Sequence, residues 1–223
     1  MTSDQRVRKP MFVDQPDTGL VLSGLRRYNL FTAVFFLGRQ GRLLRDFVDR
    51  TGLRPGEDAL DIGCGPGKLV RALGRRAGEA GTATGADPSA EAVAHNQRRD
   101  PRHRYVRSAA QELDFPDAAF DVVTCTFVMH HIPEKYRAAA LAQMWRVLRP
   151  GGRLLLADAH PSPTVRTAFA MSDRVRRREP ADRFAVADIR RYSPALREIG
   201  FDEPEFVSRG HNTATLLAIR PIR

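Results

Sequence analysis

The chain has 223 residues, of which 42% are hydrophobic, and its 36 Lys and Arg against 26 Asp and Glu give a formal net charge of +10. This length and apolar fraction predict one globular domain, or one domain with an appendage, and exclude disordered and fibrous chains. The two cysteines, Cys64 and Cys125, are too few for a disulfide framework or a cysteine-rich zinc site, so we expect no metal. The longest strongly apolar stretch, from Phe31 to Leu37, falls far short of the roughly 20 residues needed to span a bilayer. We therefore expect a cytoplasmic protein without a membrane span.

The positive charge raises the question of a nucleic-acid partner. Only three of the basic residues are lysines, and the arginines are scattered along the whole chain. The one dense run, Arg174 with Arg176 to Arg178, is more simply explained as the solvated face of a helix. Nucleic acid is therefore an unfavoured partner, although an RNA acceptor stays open as an alternative.

Three segments follow one another along the chain. Residues 1–18 are polar, contain two prolines and predict a flexible arm. Apolar residues at helical spacing over residues 19–50 predict two helices, broken near Gly38–Gly41, which we expect to form a lid. From residue 51 to 223, strand and helix patterns alternate, which indicates an α/β fold with a parallel sheet.

The alternating part has five predicted strands before its final hairpin. These strands are Asp58–Cys64, Thr82–Asp87, Arg104–Arg107, Phe120–Phe127 and Arg153–Ala159. The predicted helices are Lys68–Ala77, Ser89–Arg98 with Ser89 as N-cap, Glu134–Leu148 closed by Arg149 to Gly152, an insertion at about 161–187, and Asp188–Ile199 bent by Pro194. The final hairpin pairs Phe206–Arg209 with Thr213–Arg220.

The most informative motif is ALDIGCGPGKL at the end of the first predicted strand. The strand ends in Asp61, and Gly63, Gly65 and Gly67 precede a helix. Glycines at such a turn adopt positive φ and let the backbone approach a ligand. The spacing lacks the third glycine of the dinucleotide fingerprint, where Lys68 stands, and no P-loop signature occurs. The turn therefore favours a cofactor other than a nicotinamide or a nucleoside triphosphate, and a tight turn without a ligand is the alternative.

Asp87 stands twenty residues after Gly67, at the end of the second predicted strand. A carboxylate there can accept hydrogen bonds from both hydroxyls of an adenosine ribose. The alternative is a local Asx turn or helix cap ahead of Pro88.

With these motifs, the sequence resembles the class I S-adenosylmethionine (SAM)-dependent methyltransferases, and most closely the group that includes the ubiquinone/menaquinone-biosynthesis C-methyltransferases. The resemblance runs from about Gly56 to Ala159 and is carried by LDIGCGPG, Asp87, FPDAAFDVV, TFVMHHIP and LRPGGRLLLAD. It implies a Rossmann-like, doubly wound, seven-stranded and mostly parallel sheet with a C-terminal antiparallel hairpin and N-terminal helices. It also implies SAM as cofactor and methyl transfer to carbon or oxygen of a small apolar or aromatic acceptor.

The resemblance also implies roles for particular residues. The glycine turn would face the methionine part of SAM, Asp61 would orient its amino group and Asp87 would hold the ribose. Where the family has Asp-Ala against the adenine, this chain has Ala109-Ala110, so Gln111 or the Ala110 backbone would meet the ring. The cofactor-binding residues so predicted are Tyr28, Asp61, Gly63, Cys64, Gly65, Gly67, Asp87, Pro88, Ala110, Gln111 and Thr126.

A base is needed if the acceptor must lose a proton. His130 and His131 follow the fourth predicted strand and His160 follows the fifth, and the carboxyl ends of parallel strands share one edge of the sheet. These three histidines are the predicted catalytic residues. The alternative for the His130–His131 pair is a loop role, capping a helix or packing beside Pro133, and a structural role is the alternative for His160 as well. In the family that the sequence resembles, a tyrosine at a similar place closes over SAM, which implies that role for Tyr28 in the N-terminal helices.

Two further alternatives stay open. A SAM-fold protein that binds cofactor or a partner chain without catalysis is suggested by Ala109, which replaces the adenine-binding acid. Aromatic residues from Phe31 to Phe36 would support a homodimer.

Overall fold

The computed structural model describes residues 10–35, 38–160, 167, 187–209 and 212–222. The strands are β1 Phe12–Gln15, β2 Gly19–Leu22, β3 Asp58–Ile62, β4 Thr82–Asp87, β5 Arg104–Arg107, β6 Phe120–Thr126, β7 Leu148–Ala159, β8 Glu205–Arg209 and β9 Thr213–Ile219. The α-helices are α1 Leu25–Phe35, α2 Gln40–Thr51, α3 Lys68–Ala77, α4 Ala90–Arg99, α5 Glu134–Val147 and α6 Ser193–Ile199, and Met129–His131 and Ile189–Tyr192 form 3₁₀ turns.

Seven strands form the main sheet in the order β5-β4-β3-β6-β7-β9-β8. Neighbours from β5 to β7 pair in parallel, whereas β9 pairs antiparallel with both β7 and β8. The order reverses between β3 and β6, and in open α/β sheets ligands bind at such a point, beyond the carboxyl ends of the strands. The predicted fold class is confirmed.

The central strands are buried on both faces. Val122 and Val123 of β6 are both fully buried, but they belong to two different apolar clusters, as expected because successive strand residues point to opposite faces. Phe47 of α2 and Leu73 of α3 pack in the cluster with Val122, and the cluster with Val123 contains Met144 of α5. Burying side chains of this size contributes about 2 kcal/mol each, which holds the helices against the sheet.

Helix α4 begins where the sequence predicts it. The Ser89 hydroxyl accepts a hydrogen bond from the backbone N–H of Ala92 at 3.2 Å, so Ser89 is the N-cap. The same hydroxyl donates to the Leu22 carbonyl at 2.5 Å, which ties the N-terminal segment to the sheet domain.

The prediction of a flexible arm is wrong for the residues just before position 19. Phe12–Gln15 and Gly19–Leu22 pair as an antiparallel hairpin around Pro16 to Thr18, with Gly19 at φ +85. Residues 19–22 are therefore strand rather than helix. Phe12 packs edge-on against Tyr28, with ring centroids 6.0 Å apart, so contacts with the folded domain stabilise a polar segment with weak periodicity.

Two predicted boundaries also change. Helix α5 ends at Val147 and β7 begins at once, so Arg149 to Gly152 lie in an irregular part of the strand rather than in a turn that closes the helix. The predicted helix Asp188–Ile199 is a 3₁₀ turn capped by Asp188, followed by α6 with Pro194 in its first turn, because proline donates no N–H and is tolerated there.

The predicted helices α1 and α2 are confirmed. The predicted insertion at 161–187 lies almost entirely outside the described residues. None of the described helices is both long and apolar enough to cross a membrane.

Candidate active site

A cavity of about 340 Å³ opens at the carboxyl ends of β3, β6 and β7. Its walls combine the glycine turn, the residues after β6, the end of β7, and residues from the hairpin and from both N-terminal helices. We call this cavity the larger cavity. A second cavity of about 70 Å³ adjoins it beside Asp87 and Pro88 and shares Tyr28, Gly63 and Thr126 with it. A separate open groove of about 830 Å³ lies at the opposite edge of the sheet, at the amino ends of the strands, and contains none of the predicted site residues.

The turn after β3 needs its glycines for two different reasons. Gly63 has φ +69, and a Cβ there would lie 2.2 Å from Cγ2 of Val128, so only glycine fits. Gly65 has φ +47, and a Cβ there would have its nearest neighbour, Leu22, at 3.9 Å, so the space above it is open to a ligand. The backbone N–H groups of Gly63 and Cys64 donate to the Ala86 carbonyl, which docks the turn on β4.

Asn96 stabilises this turn through a side-chain hydrogen bond, and the sequence did not predict this role. Its Nδ2 donates to the Gly65 carbonyl at 2.7 Å, and the residue is fully buried. A Cβ on Gly67 would lie 2.7 Å from Asn96 Oδ1, so Gly67 is also sterically required. Asn96 lies on α4, 29 residues after Gly67, and no local pattern marks it.

Asp61 is a buried carboxyl group at the floor of the larger cavity. Burial, aided by the nearby charge of Asp87, raises its pKa to about 7, and a hydrogen bond from the Thr124 hydroxyl at 2.8 Å opposes the shift only in part. A cationic ligand group would reverse this shift, because an opposite charge favours the carboxylate.

Asp87 makes the local turn and also lines the second cavity. Its Oδ1 accepts from Ser89 N and its Oδ2 from Gly65 N, both at 2.8 Å. Burial raises its pKa, and these two hydrogen bonds oppose the rise. A carboxylate has about four lone-pair positions, so two acceptor positions are left for ligand hydroxyls. The Asx turn and the ribose role are therefore compatible.

Tyr28 faces both cavities from α1. Burial, followed by the charges of Asp87 and Asp61, raises its pKa to about 12, so the phenol keeps its proton and can donate it in a hydrogen bond. Pro88 and Thr126 line the second cavity, and Cys64 lines the larger one.

The two residues predicted to contact adenine, Ala110 and Gln111, lie outside both cavities. Ala110 is buried, and Gln111 donates its amide N–H to the Asp17 carbonyl at 2.6 Å, so it binds the turn of the hairpin. Their contact with adenine stays a prediction.

The three histidines have three different environments. His130 lines the larger cavity, and its Nδ1 lies 2.7 Å from Oδ2 of Asp158, a carboxylate that is 1% exposed and was missed at the sequence level. His131 stacks 5.0 Å from the Phe12 ring, and burial, aided by His130, lowers its pKa to about 4. His160 packs its ring against Phe206 at 5.7 Å and does not line either cavity.

Asp158 is the second residue of functional interest that sequence reasoning missed. It is the last residue of LRPGGRLLLAD, at the carboxyl end of β7, and its Oδ1 accepts from Ala159 N at 2.7 Å. An acid at the end of a buried strand is the signal that could have identified it. The pair with His130 spans 28 residues and depends on β6 and β7 being neighbours.

Known proteins resemble this chain in sequence and in fold. Residues 59–152 match the methyltransferase domain family. The ubiquinone/menaquinone biosynthesis C-methyltransferase of Psychromonas ingrahamii is 36% identical over 146 residues, which cover 63% of this chain and 57% of that protein. The demethylmenaquinone methyltransferase of Beutenbergia cavernae is 36% identical over 138 residues, 62% of this chain and 55% of that protein. This chain thus spans little more than half the length of either relative.

A solved structure extends the likeness beyond the matched residues. The SAM-dependent methyltransferase of Aquifex aeolicus superposes with a TM-score of 0.63 over 79% of this chain and 89% of that chain, at 18% identity, which shows the fold. The site fits the cofactor of this class, because the glycine turn leaves open space and the buried carboxyl groups of Asp61 and Asp87 line the adjoining cavities. Residues 59–152 thus match a methyltransferase domain, the fold is that of a SAM-dependent methyltransferase, and the chain is similar to the ubiquinone/menaquinone C-methyltransferases, a likeness that implies S-adenosylmethionine as cofactor.

Proposed function

We propose that this domain transfers a methyl group from SAM to a ring carbon of a small quinol-like or phenolic acceptor. The observation that carries the proposal is the His130–Asp158 pair, which lines the same cavity as Asp61 and the glycine turn. The names of the two related methyltransferases, which act in quinone biosynthesis or on demethylmenaquinone, support the acceptor class.

The cofactor would be held by three groups of this chain. The glycine turn would take the methionine part, Asp61 would pair with its ammonium group and Asp87 would accept from the ribose hydroxyls. When bound, SAM supplies an electrophilic methyl group. The contribution of the protein is to position the acceptor and to exclude water.

The acceptor would occupy the apolar part of the cavity. Phe31, Leu43, Leu44 and Phe127 line it, as aromatic and aliphatic residues do in small-molecule sites. Phe127 has φ +58, an unfavourable conformation for a residue with a large side chain, and strain of this kind is concentrated at functional sites. No functional role was predicted for Phe127 from the sequence.

His130 would remove the acceptor's proton. With the Asp158 carboxylate accepting the Nδ1 proton, the imidazole would present Nε2 as the acceptor of the substrate proton. The phenolic O–H proton would pass to His130, and the ring carbon would then form its bond to the methyl group as the bond to sulfur breaks and SAH is released. The ring C–H proton would be lost to solvent, which restores aromaticity, and His130 would return its proton to the phenolate oxygen. His131, with its pKa of about 4, is neutral throughout and serves as packing between Phe12 and His130.

Turnover with a short-chain quinol as the methyl acceptor tests the proposal. We expect a product heavier by one methylene unit and methylated at carbon. His130→Gln should lower kcat by about 100-fold, because a general base contributes on that order, and should leave the affinity for S-adenosylhomocysteine (SAH), the demethylated product, unchanged.

His160→Gln is the matched control, because His160 follows β7 but lies outside the cavity. It should turn over at nearly the wild-type rate, whereas a catalytic role for His160 requires the opposite ranking of the two variants. Methylation at oxygen alone would contradict the carbon acceptor. SAH binding without turnover on any phenolic acceptor would favour a non-catalytic role.

A further inference from the structure

The outer face of α1 combines exposed apolar side chains with arginines. Leu30 is 68% exposed and Phe31 is 51% exposed, in contrast to the buried Leu25 and Thr32 on the opposite side of the helix. Arg26 is exposed within one turn of Leu30. A helix that exposes large apolar residues beside arginines has the pattern of an interfacial helix rather than that of an ordinary solvated one.

The neighbouring helix adds positive charge on its solvent side. Arg42 and Arg45 are exposed on this helix, and Arg39, which immediately precedes it, is exposed as well. Residues 25–51 contain six arginines and two aspartates. Within the described parts of the chain, Arg26, Arg39, Arg42 and Arg45 form no ion pair, whereas Arg149 and Arg153 at the amino ends of the strands are paired with acids. We call the exposed residues Arg26, Leu30, Phe31, Arg39, Arg42 and Arg45 the basic apolar face.

The basic apolar face adjoins the mouth of the larger cavity. Phe31 belongs both to this face and to the cavity wall, and Gln40 and Leu43 of α2 line the cavity beside it. A partner bound on the face would therefore be in contact with the route by which an acceptor enters.

We infer that the basic apolar face seats the domain on the surface of an anionic lipid bilayer. An anionic bilayer offers an apolar layer and phosphate groups side by side. Leu30 and Phe31 can enter the boundary of the acyl chains while the guanidinium groups bind lipid phosphates. Each arginine near an anionic surface strengthens binding by about fivefold. Nucleic acid offers phosphates but no apolar layer for Leu30, and a second copy of the face would bring arginines against arginines.

The inference deepens the proposed function and in part rests on it. An acceptor dissolved in the bilayer could pass into the cavity at Phe31 without crossing water. Binding to lipid is itself independent of methyl transfer, so the two proposals can fail separately.

Co-sedimentation of the whole chain with phosphatidylcholine vesicles, with and without phosphatidylglycerol, tests the inference in the absence of cofactor and acceptor. We expect binding to the anionic vesicles only, weakening as salt is added. Leu30→Ser should weaken binding about tenfold through lost apolar burial, and the double variant Arg26→Gln with Arg42→Gln should weaken it by a similar or larger factor.

Controls lie elsewhere on the surface. Ile222→Ser removes another highly exposed apolar side chain, and Arg98→Gln removes an exposed arginine of α4, so both should bind vesicles like the wild type. Leu30→Ser should keep turnover on a short-chain, water-soluble acceptor, because Leu30 does not line the cavity.

Four results would overturn the inference: no binding to anionic vesicles, equal binding to neutral ones, equal losses in Leu30→Ser and Ile222→Ser, or binding only to an oligonucleotide. A dimer seen by light scattering that Leu30→Ser dissociates, without vesicle binding in the wild type, would assign the face to a second copy of the chain.

Discussion

Asp58 and Asp61 stand at opposite ends of the same strand and have opposite environments. Burial alone would raise the pKa of Asp58, but hydrogen bonds from Thr82 and Arg149 outweigh it and hold this pKa below its usual value. Burial, aided by the charge of Asp87, raises the pKa of Asp61 to about 7, and its one side-chain donor among the described residues is the neutral hydroxyl of Thr124. Within β3, an acid whose charge is compensated by an arginine and one that is not are thus only three positions apart.

The same contrast holds along both edges of the sheet. At the amino ends, Glu57 pairs with Arg153 and Asp121 with Arg149, as expected where charges only need to be neutralised. At the carboxyl ends, Asp61 and Asp87 receive hydrogen bonds from neutral groups, and none of the arginines that the structure describes donates to either. Uncompensated buried acids cost stability, so their presence indicates an edge built to receive a ligand with cationic and hydroxyl groups.

The largest expected effect is a loss of SAH binding when the glycine turn, at the carboxyl ends of the strands, is changed. Gly63→Ala should abolish measurable SAH binding, a loss of about 100-fold or more, because the new Cβ would collide with Val128 and must also adopt positive φ. Isothermal titration of SAH measures this loss.

Gly78→Ala is the matched control for Gly63→Ala. Gly78 has φ +72 and open space around its Cβ position, so this variant isolates the backbone strain of about 1–2 kcal/mol in denaturant unfolding and should bind SAH normally. Similar SAH affinities for the two variants would show that the Val128 contact does not shape the site.

Asp87→Ala is expected to have the next largest effect. It removes the proposed ribose acceptor together with the partner of Gly65 N and Ser89 N, and should weaken SAH binding by about 100-fold in the same titration. NAD should not bind either protein. Unchanged SAH affinity would restrict Asp87 to its Asx turn.

The pH dependence of SAH binding tests whether the raised pKa of Asp61 controls cofactor affinity. Below its pKa of about 7, the free carboxyl group is protonated and cannot pair with the ammonium group, so affinity should fall by up to about tenfold per pH unit as pH decreases and should level off above 7. Asp61→Asn should lower affinity about tenfold at pH 8 and remove the slope.

Thr124→Val sharpens the same test. It removes the hydroxyl that lowers the pKa of Asp61, so the rise in affinity should move to higher pH. A slope that persists in Asp61→Asn would assign the titration to another group.

The smallest effect is expected at the compensated edge. Arg149→Gln should lower the free energy of unfolding by about 1 kcal/mol, because its ion pairs are partly exposed, and should leave SAH binding unchanged. The pKa of Asp58 is lowered in the folded state, so this stabilisation is present at neutral pH and is lost as pH falls through the folded pKa. Urea unfolding at pH 7 and at pH 3 measures the difference, and a loss of SAH binding would contradict the separation of the two edges.

The sequence by itself determined the fold class and the place of the site. Strand-turn-helix spacing marks β3, β4 and α3, and the glycine pattern requires the sharp turn after Asp61, because these are properties of neighbouring residues. The position of Asp87 followed as well, since the carboxyl ends of adjacent parallel strands must meet.

Only the tertiary structure decided which side chains complete the cavity. The hairpin that brings Phe12 over the site, the Asn96 bond to Gly65 and the His130–Asp158 pair join residues that lie far apart in the chain, and the placement of His160 against Phe206 depends on β8. Local periodicity contains no information about such contacts, because their geometry depends on strand order and on how helices and the hairpin pack over the sheet.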